Sequence, residues 1–402
     1  MKVKNLFLSM CAIAALASCS QNEDVPAPTG NDAPEAKVTI NFAGNEADTR
    51  AIGTDDAKVN NLTAFFFNSS GALIKTPMPV ENSKLNTTIT LATTTDASQV
   101  VLVANTVAGT NFAGVTNITK LKEFIVSSLG TPQSGNSPVN QTATNLTMSG
   151  WGAINMNTTN NTGTANVKLH FMAAKIKTLK VSWTGTNQGK YSDTEAALDG
   201  TDAWFTIKQA YLMMAQTNST LVPDGASATA WTGKFTPSTF AYAGGLAWGT
   251  PPWTTAPAST NPVKATDYLA TTIPNSSSNA VANILNGKPW YVFENNSSNP
   301  TGVILEVVCM IKNDQSQLEK KTKYFTVYFG EKKTGEAGNQ ANIEGGKTYD
   351  INLTLNGSFD PSTGTGGGGT EDPTKPSVDA NVTVTVTPAE WTANVTIDKN
   401  FN

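Results

Sequence analysis

Hydrophobic and polar residues alternate at the C-terminal end of the chain, from residue 377 to residue 402. The apolar positions of the alternation are Val382, Val384, Val386, Trp391, Val395 and Ile397. A period of two residues is the pattern of a β-strand that buries one face. A linker rich in Gly, Ser, Thr and Pro, residues 358–376, precedes this stretch, and Gly-rich coil of that length spans on the order of 25 Å. The pattern therefore predicts a detached strand that has no partner in its own chain and pairs with another molecule.

A second alternation of the same kind lies near the start of the chain, at residues 37–43. Val38, Ile40 and Phe42 form its apolar face, and its apolar-Thr-apolar order is that of residues 381–386. Further strands are predicted at residues 62–67, 88–91, 100–104, 168–183, 204–213, 302–310, 324–329 and 348–355. Helical spacing occurs at residues 119–129 and 277–285. These patterns predict an all-β protein with a few short helices, in which residues 168–183 cross between two domains.

The composition is typical of an extracellular β protein. Charged residues are only 14% of the 402, the hydrophobic fraction is 39%, and the net charge is -4. Thr is abundant and favours strands, while the many Asn, Gly and Ser residues favour turns. A weakly negative chain is a poor partner for nucleic acid or for an anionic membrane surface. We therefore expect no nucleic-acid partner.

Candidate catalytic and metal-binding residues are scarce. His170 is the single histidine, and no cluster of His and Cys lies near it in the sequence. Cys11 and Cys19 fall in the N-terminal leader, which leaves Cys309 as a small hydrophobic residue of a buried strand. Without paired carboxylates, a histidine cluster or an activated nucleophile, the sequence predicts no enzyme, no metal site and no cofactor.

The N-terminal residues read as export and processing signals. Lys2, Lys4 and an apolar core form a signal peptide over residues 1–19, and it ends in a lipobox whose Cys19 becomes the lipidated residue. Residues 20–50 follow as a propeptide that contains the first strand. Arg50 is the only arginine of the chain and lies among small and polar residues, the kind of segment that proteases cut. We interpret Arg50–Ala51 as the site of an arginine-specific protease.

Aromatic residues crowd residues 231–253. They are Trp231, Phe235, Phe240, Tyr242, Trp248 and Trp253. Stacking on a sugar is one interpretation of such a loop, and packing onto the sheet or against a neighbouring subunit is the favoured one.

The motifs, taken in order, resemble those of the major fimbrillins, the FimA-type shaft subunits of type V pili of Bacteroidetes-like bacteria. They are the lipobox ending at Cys19, TRAIGTDDAKV at 49–59, VLVANT at 101–106, PWYVFENN at 289–296, KTYDINLTLNG at 347–357 and VTVTVTPAEW at 382–391. The resemblance covers essentially the whole chain.

The resemblance implies two transthyretin-like β-sandwich domains, placed here at residues 51–180 and 181–357. It also implies an outer-membrane lipoprotein precursor, cut by an arginine-specific protease so that the strand with Val38, Ile40 and Phe42 is removed. The C-terminal strand of another subunit then fills the groove, which builds a head-to-tail fimbria of identical copies, with anchor and tip subunits as further partners. The end of the chain, IDKNFN, departs from the family pattern because it closes on a polar residue.

Two other classes of protein remain as alternatives. The first is a surface lipoprotein that does not polymerise and serves as a pilus anchor, a tip adhesin or a glycan-binding module. An anchor lacks either the cleavage site or the donor tail, and this chain carries both. The second is an enzyme, for which no residue can be named.

Overall fold

A computed structural model describes residues 33–42, 59–81, 85, 88–126, 145–183, 190–191, 204–213, 215–216, 218–236, 242–243, 280–281, 284–285, 289–296, 301–312, 315, 317–328, 343–355 and 382–390. Its strands in the first half are β1 (Glu35–Asn41), β2 (Leu62–Phe67), β3 (Met78–Val80), β4 (Thr88–Thr94), β5 (Gln99–Ala104), β6 (Ile125–Val126), β7 (Met148–Asn157), β8 (Thr162–Asn166) and β9 (His170–Phe171). One helix, α1 (Ile118–Lys122), lies between β5 and β6.

The second half of the chain begins with β10. Its strands are β10 (Ala173–Trp183), β11 (Lys190–Tyr191), β12 (Trp204–Met213), β13 (Ala215–Gln216), β14 (Ser219–Thr220), β15 (Tyr242–Ala243), β16 (Ala280–Val281), β17 (Trp290–Phe293), β18 (Gly302–Lys312), β19 (Leu318–Tyr328), β20 (Lys347–Leu355) and β21 (Val382–Glu390). The described structure is therefore all-β, as the sequence predicts.

The first half forms one sheet in the order β3-β2-β5-β7-β8-β1-β4, with β9 paired to β7. The long strand β7 connects the two parts of this sheet, because its first residues pair with β5 and its last residues pair with β8. The predicted strands at 62–67, 88–91 and 100–104 are confirmed.

The second half forms a sheet in the order β16-β10-β20-β21, with β17 also paired to β10, and a second sheet in the order β11-β12-β18-β19. The strand at 302–310 is central, between β12 and β19, and its Cys309 is fully buried as predicted. β9 pairs with the first sheet and β10 with the second, so the chain passes from one sheet to the other at residue 172. The domain boundary at residue 180 stays a prediction.

The first predicted helix is wrong in its extent, and the second is not helical in its described residues. The helix predicted at residues 119–129 is a single turn, α1, after which Ile125–Val126 pair with Ser219–Thr220 of the second half. In the stretch predicted as helix at 277–285, Ala280–Val281 form a strand beside β10. In both places a partner strand from a distant part of the chain satisfies the backbone, and this outweighs the local helical spacing.

Candidate functional site

Strand β1 is an interior strand of the first sheet. It pairs antiparallel with β4 over seven residues, from Glu35↔Thr94 to Asn41↔Thr88. On its other side it pairs in parallel with β8 over five residues, from Lys37↔Thr162 to Asn41↔Asn166. Hydrogen-bond ladders therefore flank β1 on both sides.

The inner face of β1, together with Phe42 directly after it, is almost completely buried. Val38, Ile40 and Phe42 are 0% exposed and Ala36 is 4% exposed. Burial of a side chain such as Val, Ile or Phe contributes about 1.5–3 kcal/mol. β1 is thus both a central strand and a substantial part of the core of the first domain. Val38, Ile40 and Phe42, which the sequence predicts as its apolar face, are the residues buried in that core.

The outer face of β1 carries polar cross-strand contacts. The hydroxyls of Thr39 and Thr90 lie 3.2 Å apart, the amide of Asn41 donates to Asn166 Oδ1 at 3.1 Å, and Thr88 donates to Asn41 Oδ1 at 2.9 Å. These contacts fix the register of β1 from the solvent side.

The C-terminal strand β21 pairs with β20 of its own chain. The pairing is antiparallel over nine residues, from Lys347↔Glu390 to Leu355↔Val382. It sets Val386 opposite Ile351 and Val384 opposite Leu353, and both β20 residues are fully buried. The prediction of a strand without a partner in its own chain was therefore wrong.

The physical reason for this pairing lies in β20. Its other edge pairs with β10, so without β21 it would present a row of unpaired backbone groups. A strand tethered to the same chain has a high effective concentration and occupies such an edge. The alternation predicted the strand correctly, but the open edge is a property of the tertiary structure.

Several predicted site residues lie outside the described residues. They are Cys19, Arg50, Ala51, Trp391, Val395 and Ile397. The described chain stops at Phe42 before Arg50 and resumes at Val59 after it.

A network of asparagines around the buried Asn105 holds the chain at Asn60 and Asn61. Asn105 is 0% exposed and has φ 59°. Its side chain accepts from the Asn60 N–H at 2.8 Å and donates to the Leu146 carbonyl at 2.9 Å. Asn61 bonds in turn to Thr106, whose N–H donates to Asn61 Oδ1 at 3.0 Å. This network was not predicted from the sequence, although Asn60, Asn61 and Asn105 could have been noted as candidates for side-chain hydrogen bonds to the backbone.

A cavity of about 390 Å³ lies where the two halves of the chain meet. It is lined by residues 168–171, 223, 231–235, 294 and 344–347. His170, predicted to be a residue of a strand face, is in β9 and stacks on Trp231 with ring centroids 4.6 Å apart. Phe235 is buried, so this described part of the aromatic loop packs against its own chain. Phe240, Trp248 and Trp253 lie outside the described residues.

Two titratable groups in the cavity wall have displaced pKa values. Burial, assisted by the charge of Lys168, lowers the pKa of His170 to about 4. Burial raises the pKa of Glu294 to about 7, although the carboxylate accepts hydrogen bonds from the backbone N–H groups of Gly345, at 3.1 Å, and Phe235. Glu294 thereby joins the end of β17 to the turn at Gly345 and to the aromatic loop at Phe235.

The described residues contain no group of three or more acidic, His or Cys side chains that could hold a metal ion. Within the same ranges, no helix has the length and hydrophobicity needed to span a bilayer.

Comparison with known families decides what kind of protein this is. Residues 36–199 match the family described as major fimbrial subunit protein (FimA), and residues 230–391 match the C-terminal domain of FimA-like major fimbrial subunit proteins. The chain belongs to the FimA-type fimbrillin family. It is a fimbrial subunit, and its place is the fimbria on the cell surface. Comparison with curated protein sequences gives no match.

Solved structures show the same fold. A putative cell adhesion protein from Bacteroides eggerthii is 26% identical, with a TM-score of 0.54 over 90% of this chain and 97% of that one. A fimbrilin (FimA) from Porphyromonas gingivalis is 18% identical, with a TM-score of 0.51 over 88% and 98%. A putative cell adhesion protein from Parabacteroides distasonis is 19% identical, with a TM-score of 0.53 over 89% and 100%.

Proposed function

We propose that this fimbrillin is a shaft subunit that polymerises by donor-strand exchange after proteolytic removal of β1. The observation that carries the proposal is the position of β1. It has a ladder on each side and a fully buried inner face, yet it lies on the N-terminal side of the single arginine, Arg50. Cleavage after Arg50 severs β1 from the rest of the domain.

Loss of β1 turns an interior position into a binding groove. β4 and β8 each lose a partner, so their backbone groups are left unpaired, and the core that held Val38, Ile40 and Phe42 opens to water. Unpaired strand edges and an apolar slot together form a template for an extended segment of another chain. The Asn105 network holds the chain at Asn60 and therefore keeps β2 in place after the cut.

The C-terminal strand is the segment that fills the groove. In its own subunit β21 has one described ladder, to β20, whereas the groove offers a ladder on each side. Transfer from β20 to the groove of a neighbour therefore adds backbone hydrogen bonds, and each net bond contributes about 0.5–1.5 kcal/mol. β21 must leave β20 for this exchange, so intramolecular pairing protects the strand until a groove is available.

Donor strand and groove are different surfaces, so each subunit binds the next head to tail and the contact repeats into an open filament. Copies of this chain are the main partners, with an arginine-specific protease acting before assembly and anchor and tip subunits joining the filament. Lipidation at Cys19 attaches the precursor to the outer membrane before cleavage. The mature subunit then forms the extracellular fimbria, which supports adhesion and colonisation.

The test is maturation of subunits altered at Arg50. Arg50→Ala blocks cleavage, so that full-length lipidated precursor accumulates without fimbriae in electron micrographs. Arg50→Lys gives nearly the same result, because an arginine-specific protease reads the planar guanidinium and not the charge alone. Cys19→Ser tests the lipidation step separately, since it leaves the cleavage site unchanged and should remove acyl labelling; labelling at the wild-type level would refute lipidation at Cys19. Normal fimbriae from the Arg50→Ala variant would refute the proposal.

A further inference from the structure

We infer that the incoming C-terminal strand enters the groove parallel to β8, with Val382, Val384 and Val386 at the positions of Val38, Ile40 and Phe42. The inference rests on the donor-strand exchange proposed above and adds the direction, the register and the residue that each site receives.

The two segments have matching patterns. Residues 36–42 read AKVTINF and residues 380–386 read ANVTVTV. Alanine stands first in both, valine third and threonine fourth, while the remaining inward positions are apolar. The strand that leaves and the strand that enters thus present the same order of small and large residues.

Only one register satisfies the buried sites. A shift of one residue would bring threonines to the core face. A shift of two residues in one direction would place Val382 in the site of Ala36, which is 4% exposed and holds only a methyl group. The opposite shift would place Ala380 in the site of Val38. That site holds a full valine because its partner on β8 is Gly163, where an added Cβ would lie 3.1 Å from Val38 Cγ2.

The direction follows from the gradient of side-chain size along β1. The inward residues grow from Ala36 through Val38 and Ile40 to Phe42, and all are almost completely buried. A reversed donor would bring Ala380 to the site of Phe42 and Val386 to the site of Ala36. The first substitution leaves a large void and the second overfills a small site, and both are destabilising in a packed core.

The Phe42 site is the one that the donor fills incompletely. Val386 is smaller than the phenylalanine it replaces, so this end of the groove is less tightly packed in the filament than in the precursor. Val386→Phe restores the original volume, and the added buried area slows dissociation of filaments in urea by about tenfold. Val382→Phe is the matched control and accelerates dissociation, because the Gly163 side of that site has no further room.

Disulfide trapping tests the register directly. Asn41 faces Thr88 across the ladder, and the Thr88 hydroxyl donates to Asn41 Oδ1 at 2.9 Å, so Thr385 of the donor takes the place of Asn41. A reversed donor would instead bring Thr385 to the place of Lys37, opposite Ala92. Subunits cut at Arg50 that carry Thr385→Cys are mixed before assembly with cut subunits that carry Thr88→Cys, Thr90→Cys or Ala92→Cys on the exposed face of β4. Opposed positions come within disulfide reach, whereas positions two residues away lie roughly 7–8 Å apart. The native Cys309 is fully buried and therefore does not compete with the introduced cysteines for disulfide formation.

The expected result is a disulfide between positions 385 and 88, identified by mass spectrometry, with little at 90 or 92. Filaments that form but link mainly at 90 would overturn the register, and filaments that link mainly at 92 would overturn the direction. Either result would leave donor-strand exchange standing. Mature subunits that form no filaments and no linkage in any mixture would overturn both. If a cysteine variant fails to fold, the opposite effects of Val386→Phe and Val382→Phe on filament dissociation decide the register, and equal effects would refute it.

Discussion

The imidazole of His170 stacks on the indole of Trp231, with planes 7° from parallel and centroids 4.6 Å apart. His170 belongs to the last strand of the first sheet, and Trp231 begins the aromatic loop. The stack therefore fastens that loop to the first sheet, beside the cavity that Glu294 helps to line. The displaced pKa values of His170 and Glu294 make the stability of this junction depend on pH.

Substitution of His170 is expected to reduce acid sensitivity. The folded state lowers its pKa from 6.5 to about 4, so between these values the unfolded chain binds more protons and stability falls as pH falls. His170→Phe removes the titration and keeps an aromatic ring, whereas His170→Gln also loses the stack. Urea unfolding from pH 7 to pH 4 should show a smaller loss in both variants than in the wild type. A loss equal to that of the wild type in His170→Phe would contradict the assignment.

Substitution of Glu294 is expected to have the opposite effect on the pH profile. Its pKa rises from 4.5 to about 7 in the folded state, so the folded chain binds more protons between these values and stability falls as pH rises. Relative to the wild type, Glu294→Gln should gain on the order of 1–3 kcal/mol between pH 4.5 and pH 8. Glu344→Gln is the control, since it removes the partner of Lys347 and one nearby negative charge that raises the pKa of Glu294 but leaves the buried carboxyl, so its gain should be much smaller. An equal gain in both variants would show that Glu294 is not the responsible group.

Asn105→Ala is expected to destabilise the first domain by about 2–4 kcal/mol. It removes one buried and one partly buried hydrogen bond of the side chain and places alanine at a positive φ. Asn161→Ala is the matched control, because Asn161 has φ 53° in the turn between β7 and β8 and should cost about 1–2 kcal/mol. Thermal or urea unfolding measures the difference. Equal losses would mean that backbone conformation, and not the network, accounts for the effect.

Val384→Asp is expected to abolish fimbriae and also to lower the stability of the isolated subunit. Its position pairs with the fully buried Leu353, where an unpaired charge is costly to desolvate. Thr385→Asp is the control, because its partner Asn352 is only half-buried, and it should keep most of both properties. Electron microscopy and urea unfolding provide the measurements. Normal fimbriae from Val384→Asp would contradict the role of this strand.

A free peptide of residues 377–402 is expected to bind only cleaved subunits. In full-length protein the edge of β20 is already occupied by β21, so the peptide has a site only where β1 has been released. It should therefore raise the melting temperature of subunits cut at Arg50 and leave uncut subunits unchanged. Equal stabilisation of both forms would show that cleavage does not open the groove.

The sequence by itself determined the strands that alternate and the residues that share a face. Val38, Ile40 and Phe42 were predictable because the period of two is local and their burial follows from it. The sequence-based prediction was wrong at residues 119–129, because Ile125–Val126 pair as a strand with Ser219–Thr220 although the local spacing favours a helix.

Only the tertiary structure decided where each strand pairs, because pairing joins residues far apart in the chain. The alternation in residues 382–386 does not indicate that β20 has an unpaired edge to which this strand can bind. Likewise, nothing near residue 38 indicates that Gly163 stands beside it on β8. The sequence thus predicted a strand that could be removed and a strand that could be donated, and the fold decided that the first is interior and that the second already has a partner.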